Sequence, residues 1–144
     1  MNELKKGEFF GHHYKKTTFT DMVITDTEYT HERVDWHYHE NPYFTYLLQG
    51  KLFEANKKED YFLEPGTLLF HNWQDAHHNT KAPEYTRGFH VELQTGWFEK
   101  YQLSTARLEG SIELKNPLLK KLMNTIFLET QIADNHTQTS IDAL

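Results

Sequence analysis

Cysteine is absent from the 144-residue chain. Its absence removes disulfides, thiolate zinc sites and thiol nucleophiles together, and it fits a reducing compartment. Any metal must be held by His, Asp or Glu. Long apolar runs are missing too. No stretch approaches the length needed to span a bilayer, and Met1-Asn2-Glu3-Leu4-Lys5-Lys6 has no apolar segment behind it to act as a secretory signal. The expected location is the cytoplasm, with no membrane partner. Positive charge is short as well: acidic residues outnumber basic ones by 21 to 15, and no Lys/Arg stripe occurs. These residues by themselves are poorly suited to nucleic acid. The chain also has no nucleophile elbow, no phosphate-cradling glycine loop and no nucleotide fingerprint.

Aromatic side chains are plentiful, with ten Phe, eight Tyr and three Trp in short alternating runs. That pattern favours β structure lined by large side chains, and the length suits one domain with a real core. Phe19 to Thr30 reads as one or two strands, with Asp21 and Asp26 as turn formers. Alternation sharpens from Val34 through His39, breaks at Asn41-Pro42, and resumes from Tyr43 to a stop at Gly50. Lys51 to Ala55 and Asp60 to Leu63 form a hairpin around the polar turn 56–59, and Glu64-Pro65-Gly66 turns into Leu68-Leu69-Phe70. Thr86 to Leu93 is the cleanest strand. It sets Phe89, Val91 and Leu93 on one face and Gly88, His90 and Glu92 on the other. The expected architecture is mainly β, an antiparallel sandwich or barrel from about residue 15 to 95. Its core is expected to hold Leu47, Leu52, Leu68, Phe70, Phe89, Val91 and Leu93.

The period then changes. Asn116 can cap a helix and Pro117 suits its first position, and apolar residues at three- and four-residue spacing carry it to about Thr130. Leu118, Leu122 and Ile126 make one stripe, and Leu119, Met123 and Phe127 a neighbouring one. The economical reading gives the first to the barrel and the second to a partner, so a homodimer is expected; the alternative is that the barrel and the remainder of a second helix cover both stripes. A second helix start at Thr139-Ser140 stops within a turn at Leu144, which reads as a cut. The chain thus divides into a barrel, 1–110, and a helical dimerisation or linker segment, 111–144.

His37-Tyr38-His39 carries the chemistry. Histidines two apart on a strand share a face, and His77 arriving from a later strand closes three imidazoles on one point. Such a set offers an open position on Zn, Fe, Mn or Ni. It equally offers donors and acceptors to a bound organic molecule. His90 and Glu92 either add polar groups to the same cavity or form a solvent face, and Glu92 is the one candidate general base. Trp36, Tyr38, Tyr43, Phe44, Tyr46 and Phe70 are candidate pocket aromatics, of which alternation admits about half. His12 and His13 are expected at the surface, and His31 and His136 belong to no constellation. Lys120-Lys121 reads as a solvated face.

His37-x-His39, the strand into Gly50, Pro65-Gly66 with Leu68-Leu69-Phe70, and Asp75-Ala76-His77 resemble the two motifs of the cupin superfamily. More narrowly, Trp36 to Gly50, Leu63 to Asn79, Arg87 to Tyr101 and the helix after Pro117 resemble the N-terminal sensor domain of AraC-type transcriptional regulators, over residues 30 to 132. The resemblance implies a double-stranded β-helix barrel followed by C-terminal helices used for dimerisation. The barrel would bind a small effector, such as a sugar, through His37, His39, Tyr43, His77, His90 and Glu92. DNA would be contacted only through a helix-turn-helix domain absent from these residues. One departure matters. Metal-binding cupins usually carry a glutamate four residues after the second histidine, where this chain has Tyr43, and Glu40 should point away from His39. A four-ligand site containing that glutamate is therefore not expected. The expected function is effector sensing without turnover. The alternative is a small metal-dependent cupin enzyme, a dioxygenase or isomerase, with His37, His39 and His77 on the metal.

Overall fold

A computed structural model describes residues 1–73, 75–103, 110–132 and 141. Among them the strands are β1 (Asn2–Leu4), β2 (His12–Phe19), β3 (Met22–Glu28), β4 (Arg33–His39), β5 (Tyr43–Gln49) and β6 (Leu52–Asn56). They continue as β7 (Asp60–Leu63), β8 (Leu68–His71), β9 (His77–Thr80), β10 (Arg87–Leu93) and β11 (Ser111–Glu113). Helix α1 (Thr95–Lys100) precedes β11, and α2 (Pro117–Ile132) follows it.

One sheet runs β1-β4-β9-β6-β7 and the other β11-β8-β5-β10-β3-β2. Taken alone, β3 to β10 give the order of an eight-stranded jelly roll, with β3, β10, β5 and β8 facing β4, β9, β6 and β7. This is the double-stranded β-helix of the cupin fold. β1 joins its edge in parallel beside β4, and β2 and β11 widen the second sheet. The sheet structure therefore reaches further than the expected 15 to 95, from Asn2 to Glu113.

Local chemistry sets the turns. The Asn56 side-chain oxygen accepts the Lys58 and Glu59 N–H groups at 2.8 Å each, closing β6 onto β7. Gly50 leaves β5 at φ +80°, and a Cβ there would meet the Tyr85 carbonyl at 2.4 Å. Only glycine fits. Asn116 caps α2 by accepting the Leu118 N–H at 2.9 Å, with Pro117 at the first helical position as expected.

Alternation then divides the side chains between two compartments. From β5, Tyr43, Thr45 and Leu47 turn into the barrel, where Leu47 packs with Leu52, Tyr61, Leu63 and Leu69. Phe44, Tyr46 and Leu48 turn outward beneath the helices, joining Leu68, Phe89, Val91, Leu93, Met123 and Ile126. The barrel's outer wall is therefore a second core, and β10 is buried on both faces.

Three expectations change. Asp26 lies in mid-β3, where it is buried and paired with Arg87 instead of forming a turn. Phe70 and Leu122 are only half-buried. On α2, Met123, Ile126 and Thr130 are buried and Phe127 lies on Phe89, so the stripe assigned to a partner faces the barrel. The exposed large apolar residues of α2 are Leu118, Leu119, Leu128 and Ile132, because the barrel selects the Met123–Ile126–Thr130 rotation of the helix. The helix start at Thr139-Ser140 lies outside the described residues. Among the described residues no helix is long and apolar enough to cross a membrane.

Candidate functional site

The alternation of β4 sends His37 and His39 inward together, and β9 brings His77 opposite His37 in register. The His37 and His77 ring centroids are 4.3 Å apart, and those of His39 and His77 are 5.8 Å apart. One nitrogen from each lies within 4.8 Å of the others. His77, not His78, is the inward residue. His78 turns out against Trp36.

Backbone carbonyls fix two of the tautomers. His37 Nδ1 donates to the Asp35 carbonyl and His77 Nδ1 to the Asp75 carbonyl, each at 2.8 Å. A carbonyl can only accept, so both Nε2 atoms keep a lone pair. Tyr43 donates its hydroxyl to the His77 Nε2 at 3.2 Å. His39 Nδ1 is buried with no partner among the described residues. Burial pushes all three imidazoles below the ordinary histidine value, His37 to about 4, and neighbouring histidines, His71 and His78 in the case of His77, reinforce it. They are neutral at pH 7, the form that binds metals or accepts hydrogen bonds.

A carboxylate enters from an unexpected strand. Glu54 on β6 places Oε2 2.6 Å from His71 Nε2 and Oε1 3.9 Å from His77 Nε2, and it also accepts Asn79. Burial alone would raise its pKa, but the adjacent His71 and His77 outweigh that and hold Glu54 far below the carboxylate range. Burial likewise opposes charge on His71, and Glu54 overcomes it, raising His71. The result is a buried Glu54–His71 ion pair. Tyr43, which pairs with His71 in register, stacks on it at 4.2 Å and 9°. Glu54, His71 and His77 form a second group spaced for a cation.

His90 is spoken for on both nitrogens, by Thr25 Oγ1 at 3.0 Å and Tyr29 hydroxyl at 2.7 Å. Gly88 makes room for that phenol, since a Cβ there would meet the Tyr29 hydroxyl at 2.4 Å. What His90 offers the cavity is its ring face. Glu92 is buried, so the solvent-face alternative fails for both residues. Its carboxylate is turned to the Gly7 N–H at 3.2 Å and to Asn41 at 3.1 Å, and it does not line the cavity. Burial raises its pKa. Glu92 anchors the N-terminal segment instead of serving as a base.

That segment closes the site. Phe9 stacks on His90 at 3.9 Å and 5°, with His39 at 4.7 Å and Tyr43 edge-on at 5.1 Å. Phe10 stands edge-on to His37 and His31, bringing His31 to the rim. About 40 Å³ of free space remains, enough for a water or a metal ion. A larger cavity of about 520 Å³ lies between the six-stranded sheet and the helices, but among the described residues no histidine or carboxylate lines it.

Of the six aromatic candidates only Tyr43 lines the histidine cavity. Phe44 and Tyr46 occupy the other face of the same strand, Phe70 is beneath the helices, and Trp36 and Tyr38 point outward from β4, as alternation dictates. Glu40 is exposed, as expected. His12 is exposed, while His13 is half-buried against Thr27. His136 lies outside the described residues. Glu54 and His71 were missed, although each sits two residues from an inward leucine, Leu52 and Leu69, the period that marks an inward face. Phe9 and Phe10 carry no such signal.

No protein-family model matches the chain, and no curated protein matches its sequence. Solved structures are similar in fold. AerE from Microcystis aeruginosa is 16% identical, with a TM-score of 0.50, over 56% of this chain and 40% of its own. A cupin-2 domain protein from Shewanella frigidimarina is 17% identical, with a TM-score of 0.46, over 59% and 85%. A cupin-like protein from Thermotoga maritima is 18% identical, with a TM-score of 0.46, over 53% and 59%. At these identities the likeness concerns the fold alone.

Proposed function

We propose that the chain is the effector-sensing part of an AraC-type transcriptional regulator, a cytoplasmic protein without turnover of its own. The observation that carries this reading is the double duty of β10. His90 faces the cavity, while Phe89 and Val91 on the opposite face seat α2, the Phe89 and Phe127 rings being 5.5 Å apart. A ligand that shifts this strand shifts the seat of the helix. The order of motifs along residues 30 to 132 supports the same reading, and DNA would be contacted through a domain beyond these residues. Leu118, Leu128 and Ile132, 74%, 61% and 72% exposed, supply apolar surface on α2 for a second copy. The ligand must bind two dispositions of α2 with different affinity, since equal affinity shifts nothing. Amide exchange over residues 117–132, compared between ligand-loaded and ligand-stripped protein, tests the coupling. Identical exchange contradicts it.

The tautomer geometry favours a second reading, a small metal-dependent cupin enzyme. His37 and His77 present Nε2 lone pairs with Nδ1 held by carbonyls, the usual arrangement of metal-ligating histidines. The donor set therefore fits a divalent ion held by His37, His39 and His77. When bound, such an ion would supply a Lewis acid in a dry cavity. Glu54 would balance its charge from beside His77, and Tyr43 would have to release the His77 lone pair. Stoichiometric redox metal in purified protein, together with turnover, would decide for this reading.

A further inference from the structure

We propose that the natural occupant of the histidine cavity is a flat, uncharged aromatic ring bearing one hydrogen-bonding group, and that Phe9 is its built-in stand-in. The proposal rests on the effector-binding reading above. Phe9 belongs to a segment held by its own contacts: the Gly7 N–H on Glu92, and β1 paired with β4. Its ring nevertheless reaches into the barrel and lies parallel to His90 at 3.9 Å, the separation of two stacked π systems. A sugar ring with axial hydroxyls on the stacking face would be held further from the imidazole plane.

The rest of the wall defines the polar edge. His39 lines the same cavity, and its Nδ1, buried and without a partner among the described residues, needs one hydrogen-bond partner. Among the described residues no lysine or arginine lines the cavity, and the one nearby cation, His71, is already paired with Glu54, so an anionic group would find no counter-ion. Withdrawing the Phe9 ring would add its volume to the remaining 40 Å³ and open room for a molecule of benzene's size, since a cavity on the order of 150 Å³ holds benzene in other proteins. A phenol-like compound satisfies shape, charge and the orphaned nitrogen together.

The test titrates phenol and L-arabinose into the full chain and its Phe9→Ala and Phe9→Leu variants by calorimetry, with circular dichroism confirming the fold. Phenol should bind Phe9→Ala about tenfold tighter than the unmodified chain, while Phe9→Leu stays near it and arabinose binds none. Unchanged phenol affinity in folded Phe9→Ala overturns the proposal, as does arabinose binding better than phenol. In the unmodified chain, saturating phenol should speed amide exchange over residues 8–11, and unchanged exchange there also overturns it. The two readings fail separately. Bound phenol that leaves α2 exchange unaltered sinks sensing and keeps the aromatic occupant; bound arabinose that alters α2 exchange does the reverse.

Discussion

Glu54 and His71 meet at 2.6 Å in the interior of the barrel, with hardly any contact with solvent. They come from different sheets, so their pairing ties β6 to β8 across the core. Truncating one partner leaves the other's buried polar group uncompensated. Glu54→Ala should cost about 3–5 kcal/mol in urea unfolding. A cost below about 1 kcal/mol would mean that the pair is not formed.

Acid should destabilise the metal-free chain below about pH 6.5. His37, His39, His77 and His90 all have folded pKa values depressed by burial, so the unfolded chain binds more protons as pH falls. Their contribution is full above 6.5 and is lost toward the folded values, about 4 for His37. Each proton taken up is worth about 1.4 kcal/mol per pH unit. Asp75, raised to about 6 by burial, acts oppositely, stabilising below its unfolded value of 3.8 and losing that as pH rises through 6. His71, raised because Glu54 outweighs its burial, and Glu92, raised by burial, act with Asp75, and the four depressed histidines outnumber these three. Urea midpoints at pH 7 and 5 should differ in favour of pH 7, and equal midpoints would show that the histidines are not buried neutral.

Helix α2 predicts a contrast between two residues two positions apart. Ile126→Ala removes a buried side chain from the sheet–helix core and should cost about 2–5 kcal/mol. Leu128→Ala, on the exposed side, should change monomer stability by no more than about 0.5 kcal/mol. Reversed effects in chemical denaturation would mean that the helix is rotated.

Arg87 joins the sheet to that helix. Its guanidinium holds Asp26 through two bonds, at 2.8 and 2.5 Å, and lies 5.4 Å from the Phe127 ring. Asp26→Asn should cost about 1.5–3 kcal/mol, and Arg87→Lys should not substitute, because a lysine cannot make the fork. Full stability of Arg87→Lys would contradict the role of the bidentate geometry.

Strands β3 to β8 and β10, most of their turns and the order of motifs were legible because period-2 alternation and Gly, Pro and Asn punctuation are local signals, whereas β1, β2, β11 and α1 went unread. His37, His39 and His77 followed from the same alternation. Glu54 and His71 were legible in principle, but a polar residue at an inward position is ambiguous until its partner is known, and these two partners lie seventeen residues apart. Phe9 and Phe10 reach the site through a tertiary contact with strands far along the chain, for which no local pattern exists. On α2, periodicity defined two apolar stripes without defining which the barrel would bury.

The central claim is that this barrel holds a small organic molecule among His37, His39 and His77. Mass spectrometry of the purified chain under non-denaturing conditions, repeated after denaturation, tests it most directly. The expected result is a non-covalent organic adduct that is released on unfolding and absent from a folded His37→Ala/His77→Ala double variant. An adduct that survives in the double variant, or a chain that carries only a metal ion and turns over substrate, would contradict it.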